Sequence, residues 1–226
     1  MKFAALETST DWCSAALYLD GDVVSVEERA GHRHAERLLP MLEALCRRTG
    51  TASSQLEAVA YGAGPGSFTG LRIACGVAQG IAFARGIPVL GISTLAALAQ
   101  ESGAPAVLAC LDARMQEVYV AALRRTDAAW TEVTVAQCLP PSVVAVPPGD
   151  WVGCGSGFDA YPELASRLGL RRVLPGVHPT AHAVAQLAAP RLSAGEGDDA
   201  SLAMPTYLRD KVALTTLERE AARARP

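Results

Sequence analysis

Short apolar runs separated by turn residues dominate the chain, and two of these runs follow the same plan. Residues 3–7 are apolar and end in Glu7, and a Thr/Ser turn leads from there to a second apolar run at 14–19. Residues 106–112 repeat the plan, end in Asp112 and are followed by a return strand at 117–123. Such alternation of strand, turn and strand predicts an α/β protein with two related lobes, 1–103 and 104–226.

Helical periodicity fills the sequence between these strands. Residues 33–48 carry Leu38, Leu42 and Leu45 on one face, with Pro40 inside the pattern. Residues 70–85 form a second helix, which follows a glycine-rich turn. The remaining predicted elements are strands at 23–27, 56–61, 88–90, 142–146 and 151–152, and helices at 93–100, 162–168, 181–188 and 211–224. The last helix is expected to lie on the surface and to pack back on the first lobe.

The helix at 70–85 has one face almost free of bulky side chains. Its small residues recur at four-residue steps, at Gly70, Ala74, Ala78 and Ala82. An apolar stripe flanks them, formed by Ile73, Val77 and Ile81. Small residues let a neighbouring helix approach to the lower end of the usual range of about 8–10 Å. The pattern predicts a docking helix, whereas the glycine turn before it is typical of a phosphate-binding loop.

A phosphate-binding loop of a known type does not fit the residues. A Walker A loop needs a lysine after its last glycine, but Gly66 is followed by Ser67 and Phe68, and the only lysines are Lys2 and Lys211. The helix N-terminus could still hold an anion. Arg72 in the first turn opposes the helix dipole, which leaves three roles open: pairing with an anion, pairing with a partner's carboxylate, or simple solvation.

The composition of the chain argues against several classes of protein. The chain has 226 residues and a net charge of −3, which argues against nucleic-acid binding by the chain alone. The six cysteines are dispersed without a CxxC pair, as expected for reduced core residues. The apolar run after Lys2 is broken at Glu7, and no run approaches the ~20 apolar residues of a membrane span. These features predict a soluble, cytoplasmic protein.

Glu7 and Asp112 are the strongest candidates for chemistry, because each closes a strand of one lobe. Two acids facing one cleft would suit a phosphotransferase that holds magnesium-ATP. Neither turn carries the glycine that a close approach to phosphates needs, and Arg114 offers Asp112 an ion pair. His178 and His182 are four residues apart, as two metal ligands on one helix could be, but Pro179 places His178 at or before the helix start and no carboxylate follows at metal-ligand spacing. No Ser-His-Asp or Cys-His arrangement is recognisable. No catalytic residue, metal site or cofactor is therefore predicted, and a peptidase has no support.

Four motifs in this sequence resemble those of one family. They are GPGSFTGLRI at 64–73, HAERLLP at 34–40, LDARMQEVY at 111–119 and PTYLR at 205–209. Together they run across nearly the whole chain, and the first is highly specific. The chain resembles the TsaB (YeaZ) family, and its duplicated strand-acid-turn unit resembles the actin, sugar-kinase and heat-shock chaperone (ASKHA) fold, with a mixed sheet and flanking helices in each lobe.

The resemblance implies a non-catalytic scaffold subunit in the threonylcarbamoyl modification of the adenosine beside the anticodon of tRNAs. It implies a heterodimer with the metal-holding paralogue TsaD, recruitment of the ATPase TsaE, a homodimer when alone, and contact with tRNA through the complex. The phosphotransferase of the same fold stays the alternative. The expected partner interface comprises His34, Leu38, Leu42, Leu45, Gly70, Arg72, Ile73, Ala74, Val77, Ala78 and Ile81. A vestigial nucleotide cleft would contain Glu7, Thr8 and Asp112. Glu7 replaces the aspartate that is common in the family, and Leu38 stands where TsaD has the second histidine of its metal-binding pair.

Overall fold

The structure is a computed structural model, and it describes residues 1–127 and 129–209. The helix predicted at 211–224, and its packing on the first lobe, lie outside the described residues.

The first lobe is built on a five-stranded mixed sheet. Its strands are β1 (Lys2–Glu7), β2 (Trp12–Leu19), β3 (Asp22–Arg29), β4 (Ala58–Gly64) and β5 (Val89–Ser93), in the spatial order β3-β2-β1-β4-β5. β1, β2 and β3 form an antiparallel meander, and β4 and β5 run parallel to β1. β1 is an unbroken apolar run because it lies at the centre of the sheet and is covered on both faces.

The second lobe repeats this arrangement. Its strands are β6 (Ala106–Asp112), β7 (Val118–Thr126), β8 (Ala129–Leu139), β9 (Val152–Cys154) and β10 (Arg172–Leu174), in the order β10-β9-β6-β7-β8. β6, β7 and β8 are antiparallel, and β9 and β10 run parallel to β6. The repeated order confirms the predicted α/β class and two-lobe fold. The strand predicted at 142–146 is wrong, because Pro141–Val143 forms a single 3₁₀ turn.

Helices cover both faces of the first sheet. The helices are α1 (His34–Thr49), α2 (Phe68–Arg85), α3 (Thr94–Ser102), α4 (Ser156–Ala160), α5 (Glu163–Arg167) and α6 (Ala181–Ser193). α1 and α2 share a core with one face of the sheet, and α6 packs on the other. α6 follows the second sheet in sequence but returns to the first sheet, so its packing differs from the assignment of all residues after 104 to the second lobe.

Candidate functional site

The small-residue stripe of α2 faces its own sheet. Ala74 and Ala78 are 0% exposed, and the helix packs against β4 and β1. At Gly70 an added Cβ would collide with the carbonyl oxygen of Thr8 and stand 3.0 Å from its carbonyl carbon. The stripe therefore brings the helix close to the strands behind it. The prediction that Gly70, Ala74 and Ala78 meet a partner is wrong, because these residues are used inside the chain.

The predicted face of α1 is likewise turned inward. Leu38 and Leu45 are 0% exposed and Leu42 is 6% exposed, because all three pack on the first sheet. The His34 side chain is also buried, and its Nε2 lies 2.8 Å from the carbonyl oxygen of Thr10, which fixes the start of α1 to the β1–β2 turn. This part of the predicted interface is corrected too, since a partner cannot reach these four side chains in the folded chain.

The opposite side of α2, here called the outer face of α2, carries the accessible apolar surface. Its members are Arg72, Ile73, Gly76, Val77, Gly80 and Phe83. An added side chain at Gly76 or Gly80 would meet nothing within 4 Å, and Phe83 is 79% exposed. Ile73, Val77 and Ile81 are partly buried at the flank of this face. Gly76, Gly80 and Phe83 were not among the interface residues predicted individually from the sequence, although the glycine pair has the same four-residue spacing as the buried stripe.

Arg72 belongs to an aromatic cluster at the start of α2. Its guanidinium carbon lies 3.8 Å from the centroid of the Phe68 ring, and its Nε donates to the Tyr207 hydroxyl at 2.9 Å. Phe68 and Tyr207 are each nearly half exposed, with ring centroids 5.5 Å apart. Cation–π contacts of this kind stabilise a charge without a counter-ion. Within the chain, the partner of Arg72 is thus this aromatic pair.

Residues 204–209, here called the strap, connect the two lobes. The Thr206 amide donates to the Ala63 carbonyl at 2.6 Å on the first lobe. Arg209 donates to Glu117 Oε2 on the second lobe, from Nε at 3.0 Å and from a terminal nitrogen at 2.5 Å. This hydrogen bonding by Arg209 lowers the pKa of Glu117. The strap contains the PTYLR motif, whose polar side chains therefore hold the lobes together.

A cleft of about 860 Å³ lies between the lobes, but only one of the predicted nucleotide residues lines it. Asp112 is at its wall. Glu7 is 1% exposed, accepts a hydrogen bond from the Ser9 amide at 2.6 Å, and has no partner for Oε2 among residues 1–127 and 129–209. Burial raises the pKa of Glu7. Thr8 is fully buried and donates to the Gly70 carbonyl at 2.7 Å, so it supports the start of α2.

The residues present do not fit magnesium-ATP. A phosphate loop needs open space above its glycines, yet a Cβ at Gly66 would stand 2.6 Å from both Ser9 Cβ and the Ser9 carbonyl oxygen. The Asp112 carboxylate is 3.1 Å from Arg114 Nη1, so it already forms an ion pair with the Arg114 guanidinium. Within the described part of the chain no three potential ligands among His, Cys, Asp and Glu cluster as they would around a metal ion. The glycines serve close packing of the chain on itself.

No helix among the described residues is both long and apolar enough to pass through a bilayer.

Comparison with known proteins identifies the family of this chain. Residues 25–145 match the family model described as TsaD, tRNA N6-adenosine threonylcarbamoyltransferase. The tRNA threonylcarbamoyladenosine biosynthesis protein TsaB of Escherichia coli is 38% identical over 94% of this chain and 96% of its own length. TsaB of Haemophilus influenzae is 37% identical over 74% of this chain and 77% of its length. The structure of YeaZ from Pseudomonas aeruginosa is 41% identical, with a TM-score of 0.85 over 92% of this chain and 99% of that chain. The repeated strand order of the two sheets is what the resemblance to the ASKHA fold implies. The chain therefore belongs to the TsaB (YeaZ) family of tRNA threonylcarbamoyladenosine biosynthesis proteins.

Proposed function

We propose that this chain is a non-catalytic subunit of the machinery that makes threonylcarbamoyladenosine beside the anticodon of tRNAs. It acts by pairing with a TsaD-type paralogue and by helping to recruit the ATPase TsaE. Membership of the TsaB family supports the pathway. The pairing is inferred from the outer face of α2, where Gly76, Gly80 and the exposed Phe83 form an apolar strip on a helix.

The shape of the outer face of α2 suits a helix of another protein. Gly76 and Gly80 are one helical turn apart, and the open space above both lets a partner backbone approach closely. Phe83 projects at the end of this strip and can enter a pocket of the partner, as aromatic anchors do at interfaces. Leu39, 45% exposed on the neighbouring helix α1, extends the apolar surface. A stable interface needs about 800 Å² per partner, so both helices contribute.

The side chains support a scaffold role over a catalytic one. Burial raises the pKa of Cys110 and of Cys154 to about 12, which leaves their thiols protonated and unreactive at neutral pH. The His34 ring is bound to backbone carbonyls, and Glu7 is sealed away from the cleft. The same apolar strip would pair two copies of this chain in the absence of the paralogue, and tRNA would be met in the assembled complex.

The proposal is tested by measuring threonylcarbamoyladenosine in tRNA from cells in which this chain is replaced by variants. Gly76→Arg/Gly80→Arg places two charged side chains in the strip without touching the core, so we expect the modification to be lost. Gln186→Arg, on the exposed side of α6 behind the first sheet, is a control for an added arginine away from the outer face of α2 and should keep wild-type levels. Full modification with the glycine double variant would contradict pairing through this face.

A further inference from the structure

Most arginines in the described residues are occupied by groups of the chain itself. Arg29, Arg37 and Arg209 face carboxylates, and Arg48, Arg85 and Arg167 donate to backbone carbonyls; others behave likewise. Five arginines form no ion pair and no side-chain hydrogen bond with residues 1–127 and 129–209. One of them, Arg33, stands apart just before α1, and the other four lie together at another place. They are Arg124, Arg125, Arg171 and Arg172, all exposed.

The strand register gathers these four at one end of the second sheet. Arg124 is paired with Ala106 at the start of β6, and the Arg125 amide donates to the Pro105 carbonyl at 2.8 Å. On the other side of β6, Val107 pairs with Val152, which pairs in turn with Arg172. Three strand spacings separate β7 from β10, a width of about 14 Å. Consecutive residues point to opposite faces of a sheet, so Arg124 lies on the face that carries Trp151, whereas Arg125 and Arg172 lie on the other face, and the group surrounds this end of the sheet from both sides. We call these four residues the arginine edge.

One member of the arginine edge, Arg124, is held in place by an aromatic ring. The guanidinium carbon of Arg124 lies 5.1 Å from the centre of the Trp151 ring, which is itself fixed by a hydrogen bond to the Pro147 carbonyl at 2.8 Å. Trp151, Arg171 and Arg172 line a shallow hollow of about 290 Å³. A guanidinium stacked on a ring keeps its N–H groups free to donate. Three exposed acids lie close to the arginine edge: Asp127, Glu132 opposite Leu123, and Asp150 in the wall of the hollow. Four arginines therefore face three carboxylates, and the local charge is positive.

The geometry points to a surface that binds the phosphate backbone of tRNA; this inference rests on the proposed function. Guanidinium groups bind phosphates with two parallel hydrogen bonds, and a width of about 14 Å spans more than one phosphate of a strand. The net charge of −3 gives the chain no general attraction for RNA, so a local cluster has to supply it. The arginine edge lies at the start of β6, about 20 Å from Asp112 at its cleft end, in a lobe separate from the outer face of α2. A paralogue and a tRNA can therefore be bound together.

The test is a salt titration of tRNA binding by the complex of this chain with its TsaD-type partner. The probe is a fluorescent, unmodified tRNA transcript, and the arginine-edge variant is Arg124→Gln/Arg125→Gln/Arg171→Gln/Arg172→Gln. Four lost phosphate contacts reduce the slope of log K against log salt by about 3. The wild type should therefore lose about 60-fold more affinity than this variant between 50 and 200 mM salt.

The matched control changes net charge equally with the arginine edge intact. Arg29→Gln/Arg33→Gln/Arg114→Gln/Arg191→Gln should keep the wild-type slope. The inference is overturned if the arginine-edge variant binds like the wild type, or if the control loses as much. Equal binding of a poly-glutamate of matched charge would assign the surface to an acidic protein instead and would also overturn it.

The same titration on the chain alone, at 25 mM salt, separates this inference from the proposed function. If the wild-type chain does not pair with the TsaD-type partner, the proposed function fails. Loss of tRNA binding by the isolated arginine-edge variant, but not by the control, would then still support the surface. Equal binding by the isolated wild type and variant, or binding by neither, would overturn it.

Discussion

Two glycines of α2 provide a direct test of which side of the helix is buried. The same change, glycine to alanine, should have opposite effects at Gly70 and Gly76. At Gly70 the new methyl would collide with the Thr8 backbone and disturb the hydrogen bond from the Thr8 hydroxyl to the Gly70 carbonyl. Overpacking costs about 1–3 kcal/mol and a lost hydrogen bond about 1 kcal/mol, so we expect a loss of about 2–4 kcal/mol.

At Gly76 the methyl meets open space, so only the backbone effect remains. Alanine is favoured over glycine in a helix interior by about 0.5–1 kcal/mol, and Gly76→Ala should raise the free energy of unfolding by that amount. The assay is urea unfolding followed by far-UV circular dichroism, with both variants compared with the wild type. If Gly70→Ala were as stable as the wild type, or Gly76→Ala strongly destabilised, the assigned orientation of α2 would be refuted.

Three further predictions concern the interior and the strap. Glu7→Gln should gain stability over the wild type as pH rises above 4.5, because the raised pKa makes the native state lose stability when Glu7 ionises; equal pH profiles in urea unfolding would contradict this. A double-mutant cycle of Arg209→Gln and Glu117→Gln should give a coupling of about 1.5–3 kcal/mol at pH 7. Because the pKa of Glu117 is lowered, this coupling should shrink as pH falls below 4.5, and a pH-independent coupling would exclude the ion pair. Leu38→Ala should cost about 2–5 kcal/mol in thermal or urea unfolding, whereas an unchanged stability would mean that Leu38 lies at the surface.

The sequence was sufficient for the architecture because the strands carry strong local signals. The repeated plan of apolar run, acid and turn predicted both sheets, since such runs fit only buried central strands. β8 was missed for a physical reason. It is an edge strand in which the apolar residues Val133 and Val135 are 43% and 64% exposed while Thr134 between them is partly buried, so apolar character does not mark the buried positions.

The orientation of α2 could not be read from the sequence. The helix is apolar on nearly every side and has two stripes of small residues, one through Ala74 and one through Gly76 and Gly80. Side-chain size alone does not distinguish a stripe that packs on its own sheet from one left open to a partner. The contact that decides it, Gly70 against Thr8, joins residues 62 positions apart. The role of Glu7 was similarly hidden, because burial depends on the helices packed over its strand.

The proposed mode of action of this chain is pairing through the outer face of α2. Isothermal titration of the purified chain with its TsaD-type partner measures this pairing, with the wild type compared with Gly76→Arg/Gly80→Arg and with Gln186→Arg. Residues at the centre of an interface contribute about 2 kcal/mol or more, so the double variant should bind at least about 30-fold more weakly, while Gln186→Arg binds as the wild type does. Undiminished affinity of a correctly folded double variant would place the partner elsewhere on the molecule.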